Sequence, residues 1–205
     1  MKNDLSCDFI ESTDFVHNLN LWTRDNHNVL YITGVSGSGK SRLAQELKKL
    51  YNCKALSLDP ICGYYLEKSY MFKTFKKNNY NKILESCPEA IDFLSQQFEP
   101  RSNYTFTLDI MKSFIEWFEN NFLHNGKLYI LEGYLLHEAM DIEWFKPRPL
   151  IVKITDYENV VIRREGRKYN DDLSKVTDKE IELGMKNTRY RECYDSYIEF
   201  VEKLK

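Results

Sequence analysis

Eight residues, Gly34-Val35-Ser36-Gly37-Ser38-Gly39-Lys40-Ser41, constrain this chain more than anything else in it. They satisfy the pattern G-x-x-x-x-G-K-[ST] in full, directly after the apolar run Val29 to Thr33 and directly before a helical pattern that runs from Arg42 to Tyr51. A strand entering a glycine-rich turn that opens a helix points backbone N–H groups inward, in conformations a Cβ would obstruct. The helix then presents its positive end to the same point, so the turn is built to hold phosphate. Lys40 adds a mobile point charge for the β- and γ-phosphates of a nucleoside triphosphate, and the Ser41 hydroxyl is a hard oxygen ligand for Mg2+. The expected nucleotide-binding residues are therefore Gly34, Ser36, Gly37, Ser38, Gly39, Lys40 and Ser41, with ATP and Mg2+ as the expected ligands.

Three further short apolar runs, Ala55 to Leu58, Leu128 to Leu131 and Leu150 to Ile154, read like Val29 to Thr33 as strands buried on both faces, since a surface strand would alternate. Between them lie helical patterns: Leu43, Leu47 and Leu50 on one face, then Ile110, Phe114, Ile115 and Phe118 within Thr107 to Phe122, and a single long terminal helix over Asp178 to Leu204. Alternating strands and helices predict an α/β fold with a parallel sheet between helical layers, and ligands bound beyond the carboxyl ends of the strands. Residues 59–127 are far longer than one crossover needs and are expected to carry a helical insertion on the substrate side. The whole chain, 1–205, is expected to form one domain.

A formal net charge of −2, from 29 basic and 31 acidic residues, supplies no global field for a nucleic acid or an anionic membrane. The five cysteines, Cys7, Cys53, Cys62, Cys87 and Cys193, form no C-x-x-C pair and read as reduced, buried thiols. Neither a leader behind Met1-Lys2-Asn3-Asp4 nor an apolar run of membrane-spanning length is legible, so a cytoplasmic protein is expected.

The loop resembles that of the P-loop small-molecule kinases, in particular the uridine kinase and nucleoside/nucleotide kinase group, and three more stations follow in the same order. The first is Leu56-Ser57-Leu58-Asp59, with Tyr64-Tyr65 beyond an intervening Pro60-Ile61-Cys62-Gly63. The resemblance implies that Asp59 accepts the proton of a substrate hydroxyl and that Tyr64 and Tyr65 touch substrate. Next, Leu128-Tyr129-Ile130-Leu131-Glu132-Gly133 is similar to the strand ending in Glu-Gly of those kinases, which implies that Glu132 helps Ser41 hold Mg2+. The last, Val160 to Lys168, resembles an arginine-bearing lid, here residues 163–176, with Arg163 and Arg167 four apart and able to reach the transferring phosphate. Tyr70 and Phe72 could stack a base or pack the core, while His137-Glu138 lacks the second histidine of H-E-x-x-H and reads as a helix-surface pair.

These readings converge on a phosphotransferase that moves the γ-phosphoryl group of ATP to a small hydroxyl or phosphate acceptor, a nucleoside or nucleotide first. Kinases of a sugar acid, adenylylsulfate, an antibiotic or a sugar nucleotide would share the layout. A polynucleotide kinase needs a basic groove that the balanced charge does not suggest, and a non-catalytic nucleotide-binding module would tolerate neutral replacement of Asp59. A GTPase switch, by resemblance to that family, would need Asn-Lys-x-Asp, and here Asn81-Lys82 is followed by Ile83-Leu84, which disfavours it.

Overall fold

A computed structural model describes residues 15–24, 27–68, 79–98 and 104–204. Among them are four strands, β1 (Val29–Thr33), β2 (Lys54–Ser57), β3 (Tyr129–Glu132) and β4 (Leu150–Val152). The helices in chain order are α1 (Phe15–Arg24), α2 (Lys40–Tyr51), α3 (Leu58–Lys68), α4 (Asn79–Ser86), α5 (Ile91–Leu94) and α6 (Tyr104–Phe122). They continue with α7 (Leu136–Ala139), α8 (Ile142–Phe145), α9 (Tyr157–Gly166), α10 (Asp178–Met185) and α11 (Thr188–Leu204). The strands are all parallel in the order β2-β3-β1-β4, with Val29 opposite Tyr129, Ser57 opposite Glu132 and Thr33 opposite Val152.

Burial follows that order. Every residue of the two interior strands, β1 and β3, is buried, whereas the edge strands β2 and β4 keep partly open ends. One face of the sheet packs Leu30, Ile32, Ile130 and Ile151 against Trp22 of α1 and Leu43, Ala44 and Leu47 of α2. The other packs Tyr31, Leu56 and Leu131 against the insertion helices, through Ile61, Phe93, Ile110, Phe114 and Phe118. The result is a P-loop α/β/α sandwich of the kind the strand and helix patterns require.

The insertion between β2 and β3 is helical in its described parts, with α6 as its longest element. Tyr70, Phe72, Cys7 and the first residues of the chain lie outside the described residues. No helix among the described residues is long and apolar enough to cross a membrane.

Several boundaries differ from expectation for local physical reasons. The strand expected over Ala55 to Leu58 stops at Ser57, because Leu58 already opens α3 with no loop between. Glu132 is the last residue of β3 rather than a residue after it. The terminal helix is two: α10 starts on a capping box between Thr177 and Glu180, and α11 restarts where the Asn187 carboxamide accepts the Tyr190 N–H at 3.2 Å. Two side chains also move. His137 is not a surface residue, its side chain being 4% exposed and stacked 3.8 Å from the Tyr197 ring. Cys193 is exposed, whereas Cys53, Cys62 and Cys87 are buried as expected, their thiols pushed upward in pKa by burial.

Candidate functional site

The site is assembled at the carboxyl edge of the sheet, where β1 ends on the fully buried Thr33. Its hydroxyl donates to the Gly133 carbonyl at 3.2 Å and lies 3.0 Å from the Tyr197 hydroxyl, which ties the start of the loop to β3 and α11. The next residue has no room for a side chain, since a Cβ on Gly34 would stand 2.2 Å from the Lys153 carbonyl oxygen. The loop closes with the Ser38 N–H donating to the Val35 carbonyl at 3.0 Å, and Gly39 turns it into α2 at a φ of 86°. That left-handed conformation suits glycine and strains other residues. At the helix start Lys40 is 5% exposed, and the Ser38 hydroxyl is buried without a hydrogen-bond partner among the described residues.

Across β1 from α2, the Ser41 hydroxyl donates to Glu132 Oε1 at 3.2 Å. Glu132 is 5% exposed, and its Oε2 has no hydrogen-bond partner among the described residues. Burial pushes its pKa up, against the downward pull of the Lys40 ammonium and the Ser57 and Ser41 hydroxyls. The buried Glu132 oxygen left short of a partner beside a lysine and a helix N-terminus matches a phosphate-bound metal ion, whose coordination would supply what the protein leaves unmade, and the buried Ser38 hydroxyl matches a phosphate. The residues present therefore fit a nucleotide and Mg2+, and Ser41 and Glu132 would be the oxygen donors toward the ion.

Asp59 lies in the first turn of α3 and is exposed. Leu58 packs onto Gly133, where an added Cβ would meet the Leu58 Cβ at 3.1 Å, so the start of α3 sits against the end of β3. Asp59 is close enough to Glu132 for its charge to help raise the pKa of that group. The expected base and the expected metal acid thus share one sheet edge with the phosphate loop.

The two arginines of the expected lid part company. Arg163 is half-buried and its Nη1 donates to the Gly37 carbonyl at 3.3 Å, so it braces the loop directly. Arg167 is exposed in the short 3-10 turn that follows α9. Arg164 stacks its guanidinium 3.8 Å over the Tyr190 ring, and Arg191 returns the contact 3.7 Å over Tyr157, so α9 and α11 are clamped together.

Tyr64 and Tyr65 lie farther along α3, beside a cavity of about 560 Å³ lined also by Tyr80, Gln96, Gln97 and Phe98. Tyr65 is a core residue, its hydroxyl donating to the Phe93 carbonyl at 2.8 Å. Tyr64 is only partly buried and packs edge-on to Tyr65 with 5.2 Å between ring centroids.

The AAA domain family matches residues 30–187, which spans the strands, the loop, the insertion and α10. The chain belongs to the AAA domain family. No curated protein matches it. Membership makes this AAA-domain chain a P-loop NTPase-like, nucleotide-binding protein of a group that includes many kinases.

Lys153 escaped the reading of residue types. It is 5% exposed at the end of β4 and reaches the loop beside Gly39. The legible signal was a lone charge in the apolar run Leu150 to Ile154. Helix α1 was missed as well, although Phe15, Leu19 and Trp22 are spaced on one helical face.

Proposed function

We propose that the chain transfers the γ-phosphoryl group of ATP to the hydroxyl or phosphate of a small acceptor, a nucleoside or nucleotide first. One observation carries the reading: Asp59, the Ser41–Glu132 pair and the phosphate loop stand together at the carboxyl edge of β2, β3 and β1. An acceptor oxygen attacks the γ-phosphorus, the bond from that phosphorus to the β-phosphate bridging oxygen breaks, ADP leaves, and the acceptor proton passes to the Asp59 carboxylate. Lys40 and the loop N–H groups hold the phosphates in line, and bound Mg2+ would neutralise charge between them. Here 59–127 is the acceptor side of a single 1–205 unit, and 163–176 closes over the phosphates through Arg163 and Arg167.

The cavity along α3 supports a planar acceptor. Tyr64 follows Asp59 by five residues, about 7.5 Å of helix rise, a separation suited to a ring joined to a hydroxyl through a sugar. Partly buried Tyr64 and exposed Tyr80 offer ring faces there, and Gln96 and Gln97 offer carboxamides. The test is an ATP-consumption screen with Mg2+ over nucleosides, nucleotides, sugar acids, adenylylsulfate and sugar nucleotides. Turnover with a nucleoside or nucleotide, lost in Asp59→Asn, is the expected result. Turnover confined to another class would replace the acceptor assignment, and ATP binding without turnover on any class would make the chain a binding module.

A further inference from the structure

We propose that Lys153 is a second phosphate-binding cation of the loop, placed for the α- and β-phosphates that remain in the leaving ADP; this rests on the nucleotide-binding reading of the site. Ile151, two residues earlier, packs on the α2 face of the sheet with Ile32 and Leu43. Strand periodicity puts Lys153 on that same face, at the height where β1 has become the loop.

Its backbone N–H continues the sheet by donating to the Thr33 carbonyl at 2.8 Å, and its carbonyl oxygen occupies the space a Gly34 side chain would need. From there the side chain spans the loop to its far end, where a Cβ on Gly39 would lie 3.5 Å from Lys153 Cε and 3.8 Å from Nζ. Arg163 Nη1 comes within 3.3 Å of the same point, and buried Lys40 is the next residue in the chain. Three cations thus gather around the N-terminus of α2, which is itself positive. A phosphate chain bound among them would meet all three charges together. Independently, the fully buried Ser38 hydroxyl in the same loop is without a hydrogen-bond partner among the described residues.

The sheet order assigns the end of the nucleotide. Asp59 follows β2, Glu132 ends β3, the loop follows β1 and Lys153 follows β4, so the order across the edge is base, metal acid, loop, Lys153. The γ-phosphoryl group must face the base, and the rest of the nucleotide trails toward β4. Lys153 therefore meets phosphates present in both ATP and ADP. Its contact is made in the ground state and is kept through transfer.

Calorimetric titration of Mg-ADP and Mg-ATP into the full chain, its Lys153→Met variant and its Lys153→Arg variant tests this. Lys153→Met weakens both nucleotides by about 10-fold or more, the range of a hydrogen bond to a charged group. Lys153→Arg stays within about threefold, because the charge is kept. A folded Lys153→Met protein, judged by a cooperative melt, with wild-type ADP affinity overturns the inference and leaves the nucleotide reading standing. A wild-type protein that binds neither nucleotide overturns both. Amine acetylation of the wild-type chain, read by mass spectrometry with and without ADP, needs no variant: ADP is expected to protect Lys40 and Lys153 alike. Protection of Lys40 alone overturns the inference even if Lys153→Met does not fold.

Discussion

Glu119, on a helix packed against the sheet, and Glu132, within the sheet, are both acids largely withdrawn from water and held in opposite ways. Glu119 of α6 receives Arg148 through both oxygens, at 2.8 and 2.9 Å, and the Tyr31 hydroxyl at 2.6 Å. Burial pushes its pKa up, but hydrogen bonds from Arg148 and Tyr31 outweigh that and leave it below the usual carboxylate range. Glu132 accepts a Ser41 bond of 3.2 Å and keeps an oxygen without a partner among the described residues, so burial outweighs the pull of Lys40, Ser57 and Ser41 and its pKa rises. A charge that a fold keeps for itself is fully met by the protein, as at the Glu119–Arg148–Tyr31 cluster. The Glu132 charge is met only in part, which leaves coordination available to a ligand.

The comparison is most easily broken at the loop. Lys40→Ala should reduce phosphoryl transfer to background while the melting temperature is unchanged or rises, since a buried cation without a fully matched partner is removed. Turnover near wild type in that variant would remove the loop from the reaction. Asp59→Asn should lower kcat by roughly 10²–10⁴, the range of a lost general base, with ADP affinity nearly unchanged. A loss under about threefold would make Asp59 a helix-start residue only.

The two acids themselves give the sharper contrast. Glu132→Gln should cost about 10–100-fold in turnover through weakened metal binding, with no loss of stability. Arg148→Met, by stranding Glu119, should cost about 3 kcal/mol in a denaturant titration and leave the specific activity of the folded fraction intact. If the two variants changed activity and stability in the same proportions, the contrast between a ligand acid and a structural acid would fail.

The smallest effect is in pH dependence. Glu119 has a lowered folded pKa, so its stabilisation is complete above its unfolded value of about 4.3 and is lost as pH falls through the folded value. Glu132 has a raised folded pKa, so its contribution becomes unfavourable as pH climbs from about 4.3 through that folded value. Urea unfolding of apo protein should therefore show Glu119→Gln losing ground on wild type as pH rises toward about 4.3, and Glu132→Gln gaining on wild type as pH rises above about 4.3. Parallel profiles for the two variants would contradict the opposite shifts.

Much of this protein was legible from local pattern, because the constraints involved are local. A loop that must wrap a phosphate requires glycines, a lysine and a hydroxyl within Gly34 to Ser41. The four buried strands announced themselves as apolar runs, since a parallel sheet covered on both faces leaves no polar alternation. Asp59 and Glu132 stood out as candidates only through resemblance to kinases, as an acid after an apolar run has many other uses.

What the chain pattern could not supply depends on residues distant in sequence. Asn187 restarts a helix that hydrophobic spacing alone would run through, and a side chain competing for one N–H leaves little trace in periodicity. His137 looked like half of a surface pair, but Tyr197, 60 residues away, covers its ring, and burial pushes its pKa down to about 4. The placement of Lys153 was decided by the order of the strands. Only when β4 lies next to β1 does a lysine at the end of an ordinary apolar strand reach across to Gly39, because side-chain length is fixed while distance along the chain says nothing of distance in space.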